Sequence, residues 1–480
     1  MKLKDILKEL KPKKVIGKTD IVIKDVVNDH VAVTSGALYV AIKGENKDGH
    51  DFIKQAETYG AVAVISEREL DVGITQVIVK NSRIAMAIVA AAFYSHPEKS
   101  LTVTGVTGTN GKTSTAYMIY NILNAENKKC GFIGTIGVFY GNERKEPTLT
   151  TPDPIVLFKI FRDMVNDGIE YVVMEVSAHA VYFNKIYGVP FKVGVFTNLS
   201  QDHLDFFKDM EAYKREKIRF FTEFKPKYAV INADDETGRE IIATLKSCVS
   251  YGLYNPSDVF AVNIVESDGG ISFVLNMFDK IYDIKAKVFG EFNVYNIMAA
   301  ATASLFSGVT VDAAAKRLNE ITTVEGRTEK VFSGDYSVYV DYAHTPDGLE
   351  KVLTSMRKIC KGNLITLFGC GGNRDKEKRC IMGEISGKFS DFTVVTSDNP
   401  RYEDPMDIIF EIEKGLVKTT KKYVLIQDRK EATEYALSLA GKGDVILIAG
   451  KGAENYQDVL GVKRPYNDKE VIKDIISKAE

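Results

Sequence analysis

Apolar and polar positions along the chain fall into two rhythms that take turns. Short runs with period two or continuous apolar character read as strands, and the stretches between them carry apolar residues at helical spacing. Over residues 1–98 the runs Val31–Ile42 and Ala61–Ile65 flank a glycine-rich turn, and Ile84–Tyr94 reads as a helix, so this part is a small α/β unit ending near His96-Pro97. From residue 101 strands and helices alternate, as a mostly parallel sheet requires, with strands expected at Leu101–Val106, Gly131–Ile133, Tyr171–Val176, Val193–Thr197, Ala229–Ile231 and Val249–Tyr251. Residues 258–289 change to period two around Asp268-Gly269-Gly270, an antiparallel appendage, and helices follow at about 293–307 and 311–320. Beyond Gly326-Arg327 a second α/β series places strands at Val338–Val340, Leu364–Phe368, Phe392–Thr396, Tyr423–Ile426 and Val445–Ile448. The expected organisation is 1–98, 99–327 and 328–480, in line with the roughly 100–200 residues of a typical domain.

Composition narrows the class without choosing a function. With 63 basic against 65 acidic residues the chain offers no polycationic surface for nucleic acid, and no stretch approaches the ~18 apolar residues of a membrane span. MKLKDILKELKPKK lacks a signal-peptide core, and five cysteines without a CxxC pair suit reduced thiols. The expectation is a cytoplasmic enzyme or binding protein.

The chemistry begins at Leu101–Tyr117, LTVTGVTGTNGKTSTAY. A strand, the turn Gly108-Thr109-Asn110-Gly111, then Lys112, Thr113 and Ser114 opening a helix make a phosphate cradle: backbone N–H groups and the helix start favour anions, and lysine adds a positive charge. Thr113 stands where a P-loop places its Mg2+-binding hydroxyl, although the strict pattern would need glycine at Val106. Two further strand ends carry polar groups where open α/β sheets place their sites. Glu175 interrupts an otherwise apolar strand leading to Ser177-Ala178-His179, and a buried carboxylate needs a cation or donors. Thr197-Asn198-Leu199-Ser200-Gln201-Asp202-His203-Leu204-Asp205 ends the other, with His203 a candidate metal ligand.

A helix about Asp209–Phe224 follows, with Met210, Tyr213, Lys217, Phe220 and Phe224 in one stripe. A lysine in that stripe must snorkel, lose its proton or be modified, and a neutral amine can take up CO2 as a carbamate. In the last domain Asp341 to Pro346, Gly369 to Asp375, Ser397 to Arg401 and Ala449 to Glu454 each end a strand. Arg374, Arg401 and Glu454 would rim one end of one sheet, a set suited to a zwitterion, guanidinium on carboxylate and Glu on ammonium.

Taken in order, these motifs resemble the Mur ligases, and among them the MurE type that joins a diamino acid to a UDP-N-acetylmuramoyl-dipeptide. The resemblance rests on DGHDFI (48–53), TGTNGKT, Thr150-Thr151-Pro152-Asp153, MEVSAHA, TNLSQDHLD, FNVYN (292–296), GRTE, DYAHTPDGLEKVL, FGCGGNRDKEKR, DNPRYEDP and GKGAENYQ, nearly the whole chain. It implies a small N-terminal α/β domain for the UDP end of the substrate, a central P-loop ATPase-like domain, and a C-terminal Rossmann-like domain for the amino acid. It implies that ATP phosphorylates the acceptor carboxylate and that the amine of the amino acid then displaces phosphate. Lys112 would serve the phosphates, Thr113 and Glu175 one Mg2+, His203 and a carbamylated Lys217 a second. Asn293 and Asn296 would stand near adenine, with Arg327, Asp341 and His344 as further nucleotide contacts. Thr150, Thr151, Ser177 and Lys185 would serve the UDP substrate; Arg374, Asp398, Asn399, Arg401, Gly450 and Glu454 the amino acid. The arginine of DNPR favours meso-diaminopimelate over L-lysine. The implied partners are small molecules, and the implied state is a monomer.

Departures cluster on the sugar side. Asn28-Asp29-His30 stands for the usual Asp-Ser-Arg, Ala178 for a serine, Lys185 for an arginine, and Gln201 and Phe207 for Arg and His; Ala453 replaces the histidine of GKGHE. The alternatives are the L-lysine-adding form, a paralogue acting on a different carboxylate, and a nucleotide-gated binding protein without catalysis. Folylpolyglutamate synthetase shares the central architecture but not DNPR or GKGAE, and cyanophycin synthetase needs an ATP-grasp half that would not fit this length.

Overall fold

The computed structural model describes residues 1–44, 47–146, 149–267 and 269–479, and Asp268 of the expected turn lies outside them. The chain divides into two compact units: residues 1–105, 127–194 and 219–227 form one, residues 106–126, 195–218 and 228–480 the other. Two strands, Thr102–Thr107 and Phe191–Phe196, start in the first unit and end in the second.

In the first unit five strands pair in the order Lys14–Ile16, Thr75–Ile78, Ala61–Ser66, Ala37–Val40, Asp25–Val27, parallel except for the first pair. The helix Ser82–Phe93 packs Ala85, Met86, Val89 and Ala92 into the same core as Leu38, Val40, Ala63 and Ile65. The apolar run Val31–Ile42 does not form one continuous strand. Asp29 accepts from the Val31 amide and starts a 3-10 turn over His30–Ala32, which leaves Val31 72% exposed and confines the strand to Ala37–Val40. Also in this unit, Tyr171–Glu175 pairs parallel with Cys130–Gly134, which continues antiparallel into Gly137–Tyr140 and Glu143–Lys145.

In the second unit Tyr228–Asn232, Val249–Gly252 and Val259–Ser267 pair in parallel, and the antiparallel strands Gly270–Met277 and Lys280–Ala286 follow, which is the expected change of character. The last series forms a six-stranded sheet in the order Glu329–Ser333, Ser337–Asp341, Val445–Ala449, Leu364–Phe368, Phe392–Val395, Tyr423–Leu425, parallel apart from its first strand. Its strands are apolar on both faces, as covered parallel sheets must be. Leu364, Phe368, Val395 and Leu447 pack beneath the helices Pro346–Ile359 and Glu377–Phe389, while Ile365, Leu367, Val394 and Ile446 face the helix Arg429–Ser438.

The carboxyl ends of two of these strands hang from one buried cation. The Arg429 guanidinium, 1% exposed, pairs with Asp468 through Nε and Nη2 at 2.8 Å each, and also donates to the carbonyls of Ala449 (2.9 Å) and Ser397 (3.5 Å). Those carbonyls immediately precede Gly450 and Asp398. Removing one member of such a pair strands the other charge in the interior. Asp468→Ala is therefore expected to lower stability by about 3–5 kcal/mol in urea denaturation; a loss below about 1 kcal/mol would show the pair to be dispensable.

Candidate active site

The phosphate-cradle segment is a strand, a turn and a helix, Thr102–Thr107 followed by Lys112–Ala125. Its turn is braced by the loop that follows the strand Phe191–Phe196. The Thr109 amide donates to the Asn198 carbonyl (2.8 Å), the Asn110 amide to the Asn198 side-chain oxygen (3.0 Å), and the Thr197 hydroxyl to the Asn110 carbonyl (2.6 Å). Gly111 has φ +83°, and a Cβ there would collide with the Asn296 side-chain oxygen, so only glycine fits. Asn296 in turn accepts from the Thr115 hydroxyl (3.2 Å) and donates to Asn293 (2.8 Å), which donates to the Phe289 carbonyl (2.8 Å). The two asparagines thus buttress the cradle's helix. Arg327 donates to the Thr113 hydroxyl (3.0 Å) and lies over the Tyr342 ring at 4.2 Å.

Two lysines meet at the head of the turn. Lys112 donates to the carbonyls of Gly108 (3.0 Å) and Thr109 (2.7 Å), and Lys217 donates to the same Gly108 carbonyl at 2.6 Å. Lys217 does not snorkel: on the helix Met210–Thr222 it is 1% exposed, with its amine 4.8 Å from the Tyr213 ring centre. Burial first, then the Lys112 charge, push its ammonium well below the usual lysine range against the opposing pull of Asp202. Among the described residues no carboxylate pairs with it, and no group of three or more His, Cys, Asp or Glu could hold a metal ion.

Asp202 was not singled out from sequence, yet it is the hub of this loop. It lies 3.3 Å from His203 Nε2, 3.8 Å from His344 Nε2 and 3.8 Å from Lys378 Nζ, while 7% exposed. Burial raises its carboxyl, but the nearby His344 and the charges of His203 and Lys378 outweigh that and hold it well below the carboxylate range. The neighbouring residues make similar links. Gln201 donates to Asp375 (3.1 Å), Arg374 lies 3.6 Å from Asp205, and Asn110 donates to Asp347 (2.8 Å).

The first unit holds a second constellation. Glu175 is fully buried and accepts from the Thr135 amide (2.7 Å) and hydroxyl (3.3 Å), with no basic side chain among the described residues to pair it. The Thr135 and Thr150 hydroxyls are 3.1 Å apart, the Thr151 hydroxyl donates to the Glu175 carbonyl (2.8 Å) and accepts from the Ser177 amide (3.1 Å), and Lys185 pairs with Asp153 at 3.0 Å. Thr150, Thr151 and Ser177 are thus gathered around Glu175. A lone buried carboxylate fits a cation. Of the altered sugar-side residues, His30 stacks on Phe52 with ring centres 4.3 Å apart.

At the carboxyl ends of the C-terminal sheet, Asp341 positions the chain more than it presents a charge. It is 6% exposed and accepts from the amides of Thr328 and Ala343, both at 2.6 Å, and burial raises its carboxyl. Asp398 accepts from the Asn399 amide (2.6 Å), and Gly450 is needed because a Cβ there would sit 2.6 Å from Asp398 Oδ2. Arg401, at φ +53°, donates to the Gly372 carbonyl (2.7 Å), and Glu454 accepts from Asn399 (2.9 Å) and Lys451 (3.0 Å). Lys451, Gln201 and Lys378 join Asp202 as residues whose contacts the sequence order conceals.

A strand–turn–helix phosphate cradle followed by a second, separate parallel sheet fits a ligase that couples ATP to bond formation, and the comparisons agree. The description "Mur ligase family, catalytic domain" matches residues 23–101, "Mur ligase middle domain" 106–304 and "Mur ligase, glutamate ligase domain" 326–452. The chain belongs to the Mur ligase family. It is 42% identical over the full length of both chains to the UDP-N-acetylmuramoyl-L-alanyl-D-glutamate--2,6-diaminopimelate ligase of Caldanaerobacter subterraneus subsp. tengcongensis, and 41% identical, over 99% of each chain, to that of Bacillus cereus. A solved structure of an enzyme with the same name superposes with TM-score 0.70 at 28% identity, covering 100% of this chain and 99% of that one. The MurF ligase of Thermotoga maritima, solved with ADP, shares the fold at TM-score 0.65 and 24% identity, covering 96% of this chain and 99% of its own. The three-domain α/β architecture expected from the motifs is that of the family.

Gly111→Ala would force a side chain into a left-handed backbone and against Asn296, a strain of about 1–2 kcal/mol before the clash. The expected outcome is ATP binding weakened at least about tenfold in titration calorimetry. Unchanged affinity would show that the loop can rearrange.

Proposed function

We propose that this chain joins meso-diaminopimelate to the D-Glu carboxylate of UDP-N-acetylmuramoyl-L-Ala-D-Glu, consuming ATP, in peptidoglycan precursor synthesis. The observation that carries the reading is the loop Asp398-Asn399-Pro400-Arg401 at a sheet end, facing Gly372 and Glu454, in a chain alike over its full length to ligases named for diaminopimelate. We assign the domains as 1–98, 99–327 and 328–480, and the acting species as a cytoplasmic monomer.

ATP transfers its γ-phosphoryl group to the acceptor carboxylate, giving an acyl phosphate and ADP; the amine of the amino acid attacks the acyl carbon, and phosphate leaves as the amide forms. The residues have to hold the reacting groups in line and neutralise charge. Gly108 to Ser114 form the phosphate cradle, with Thr109 and Asn110 braced on Asn198, the backbone N–H groups of Gly111 to Ser114 at the helix start turned to the phosphates, and Lys112 as the local cation. Asn293 and Asn296 stand on the adenine side, and Arg327, Asp341 and His344 complete the nucleotide contacts. Two Mg2+ ions, held by Thr113, Glu175, His203 and a carbamate on Lys217, would supply the charge neutralisation that phosphoryl transfer requires. Thr150, Thr151, Ser177 and Lys185 hold the UDP substrate. Arg374, Asp398, Asn399, Arg401, Gly450 and Glu454 bind the amino acid, with Arg401 on the distal carboxylate.

The test is phosphate release from ATP and UDP-N-acetylmuramoyl-L-Ala-D-Glu with meso-diaminopimelate, L-lysine or no amino acid. Release should depend on diaminopimelate, and Arg401→Ala should erase most of the preference over lysine, a loss of about tenfold or more for a charge-assisted contact. Equal loss with both amino acids would remove that role from Arg401, and silence with every amino acid from ATP-binding protein would move the chain to another acceptor. For Lys217, 13C-bicarbonate is expected to give a carbamate carbonyl resonance that Lys217→Arg lacks. A spectrum without it, from active enzyme, would leave the amine unmodified.

A further inference from the structure

Lys451 has no part in the assignments above, yet it is 0% exposed, and its ammonium is placed inside the amino-acid rim. It donates to Asn399 Oδ1 at 3.1 Å and to Glu454 Oε2 at 3.0 Å, and its amine lies 5.6 Å from the Tyr456 ring centre. Asn399 Nδ2 donates to the same Glu454 Oε2 at 2.9 Å, which closes a three-membered ring of hydrogen bonds. The ring is locked from outside as well. The Asp458 amide donates to Asn399 Oδ1 (2.9 Å), Gln457 donates to the Asp398 carbonyl (2.7 Å), and the Arg401 amide donates to the Asp458 carbonyl (3.0 Å).

The geometry is asymmetric at Glu454. Oε2 takes both donors, whereas Oε1 has no partner among the described residues, on a side chain 22% exposed. A carboxylate free to rotate would offer an incoming ammonium either oxygen and lose rotamer freedom on binding; one already pinned through Oε2 offers Oε1 in a fixed direction. A buried lysine beside it also needs that carboxylate, since an unpaired ammonium in the interior is costly. We infer that Lys451 is a positioning residue for the amino-acid site: a built-in cation that anchors Glu454 and Asn399, so that Glu454 Oε1 receives the substrate's ammonium. The inference deepens the proposed function and rests on its placing the amino acid at this rim.

The experiment is steady-state kinetics of Lys451→Met, Glu454→Gln and the double variant, with ATP binding measured in parallel. Wild-type enzyme that shows no amino-acid-dependent phosphate release would overturn the parent reading, not this one. Given wild-type turnover, Lys451→Met should raise KM for the diamino acid about tenfold or more, the scale of a lost charge-assisted contact, with ATP affinity within about twofold. Because Lys451 acts through Glu454, the same substitution in the Glu454→Gln background should cost much less than it does alone. A Lys451→Met enzyme with unchanged KM, or a loss that adds fully to that of Glu454→Gln, would overturn the assignment. If Lys451→Met does not fold, Lys451→Gln is read in the same assays: a neutral donor keeps the anchor but not the charge, so a KM equal to wild type would show that no cation is required and reject the proposal.

Discussion

Two amines share one carbonyl oxygen at the head of the nucleotide cradle, and much of the second unit is arranged to make that possible. Lys112 and Lys217 both donate to Gly108, in a place where Lys217 is almost wholly buried. Burial, and then the Lys112 charge beside it, push the Lys217 ammonium well below the usual lysine range. Lys112 and Arg327, which donates to the Thr113 hydroxyl, stand at the same turn, and the Lys217 nitrogen is held at a fixed point beside them. Tyr213, which flanks it, also touches the Thr109 hydroxyl, so the helix that carries Lys217 is keyed to the turn it serves.

A second organising principle is that strand-end loops brace one another. The loop from Thr197 to Asp205 supports the phosphate turn through Asn198 and Thr197, and meets the glycine-loop residues Arg374 and Asp375 through Asp205 and Gln201, and Lys378 of the following helix through Asp202. The phosphate turn and the loop at residues 369–375 therefore meet on one short segment. Gln201 has a specific partner in Asp375, so a neutral side chain at this position is held by donating to that carboxylate.

Much of this was legible in the sequence. Lys217 stood out because a lysine in an apolar stripe is an anomaly that burial must explain, and Glu175 because a carboxylate cannot end an apolar strand without donors. The parallel strands of both series were clear because each is a short run of apolar and β-branched residues bounded by turn residues. What stayed hidden has physical reasons. Lys14–Ile16 and Asp25–Val27 are three-residue edge strands, too short to show a period, and the hairpin Tyr456–Val459 with Val462–Pro465 has intermediate and exposed residues that carry no alternation. Asp202 and Lys451 were visible as letters within motifs, but their meaning lies in partners far along the chain, His344 and Asn399, which no local pattern reveals.

The grip of Arg429 on the carbonyls before Asp398 and Gly450 has a bearing on how such a ligase changes over time. Both loops that the proposed reading gives to the amino acid are hung from a single interior fixture, gripped at the carbonyls just before Asp398 and Gly450. Residues at the loop tips can change while that fixture keeps the spacing of the two loops. Preference can drift while the frame that measures the substrate stays the same.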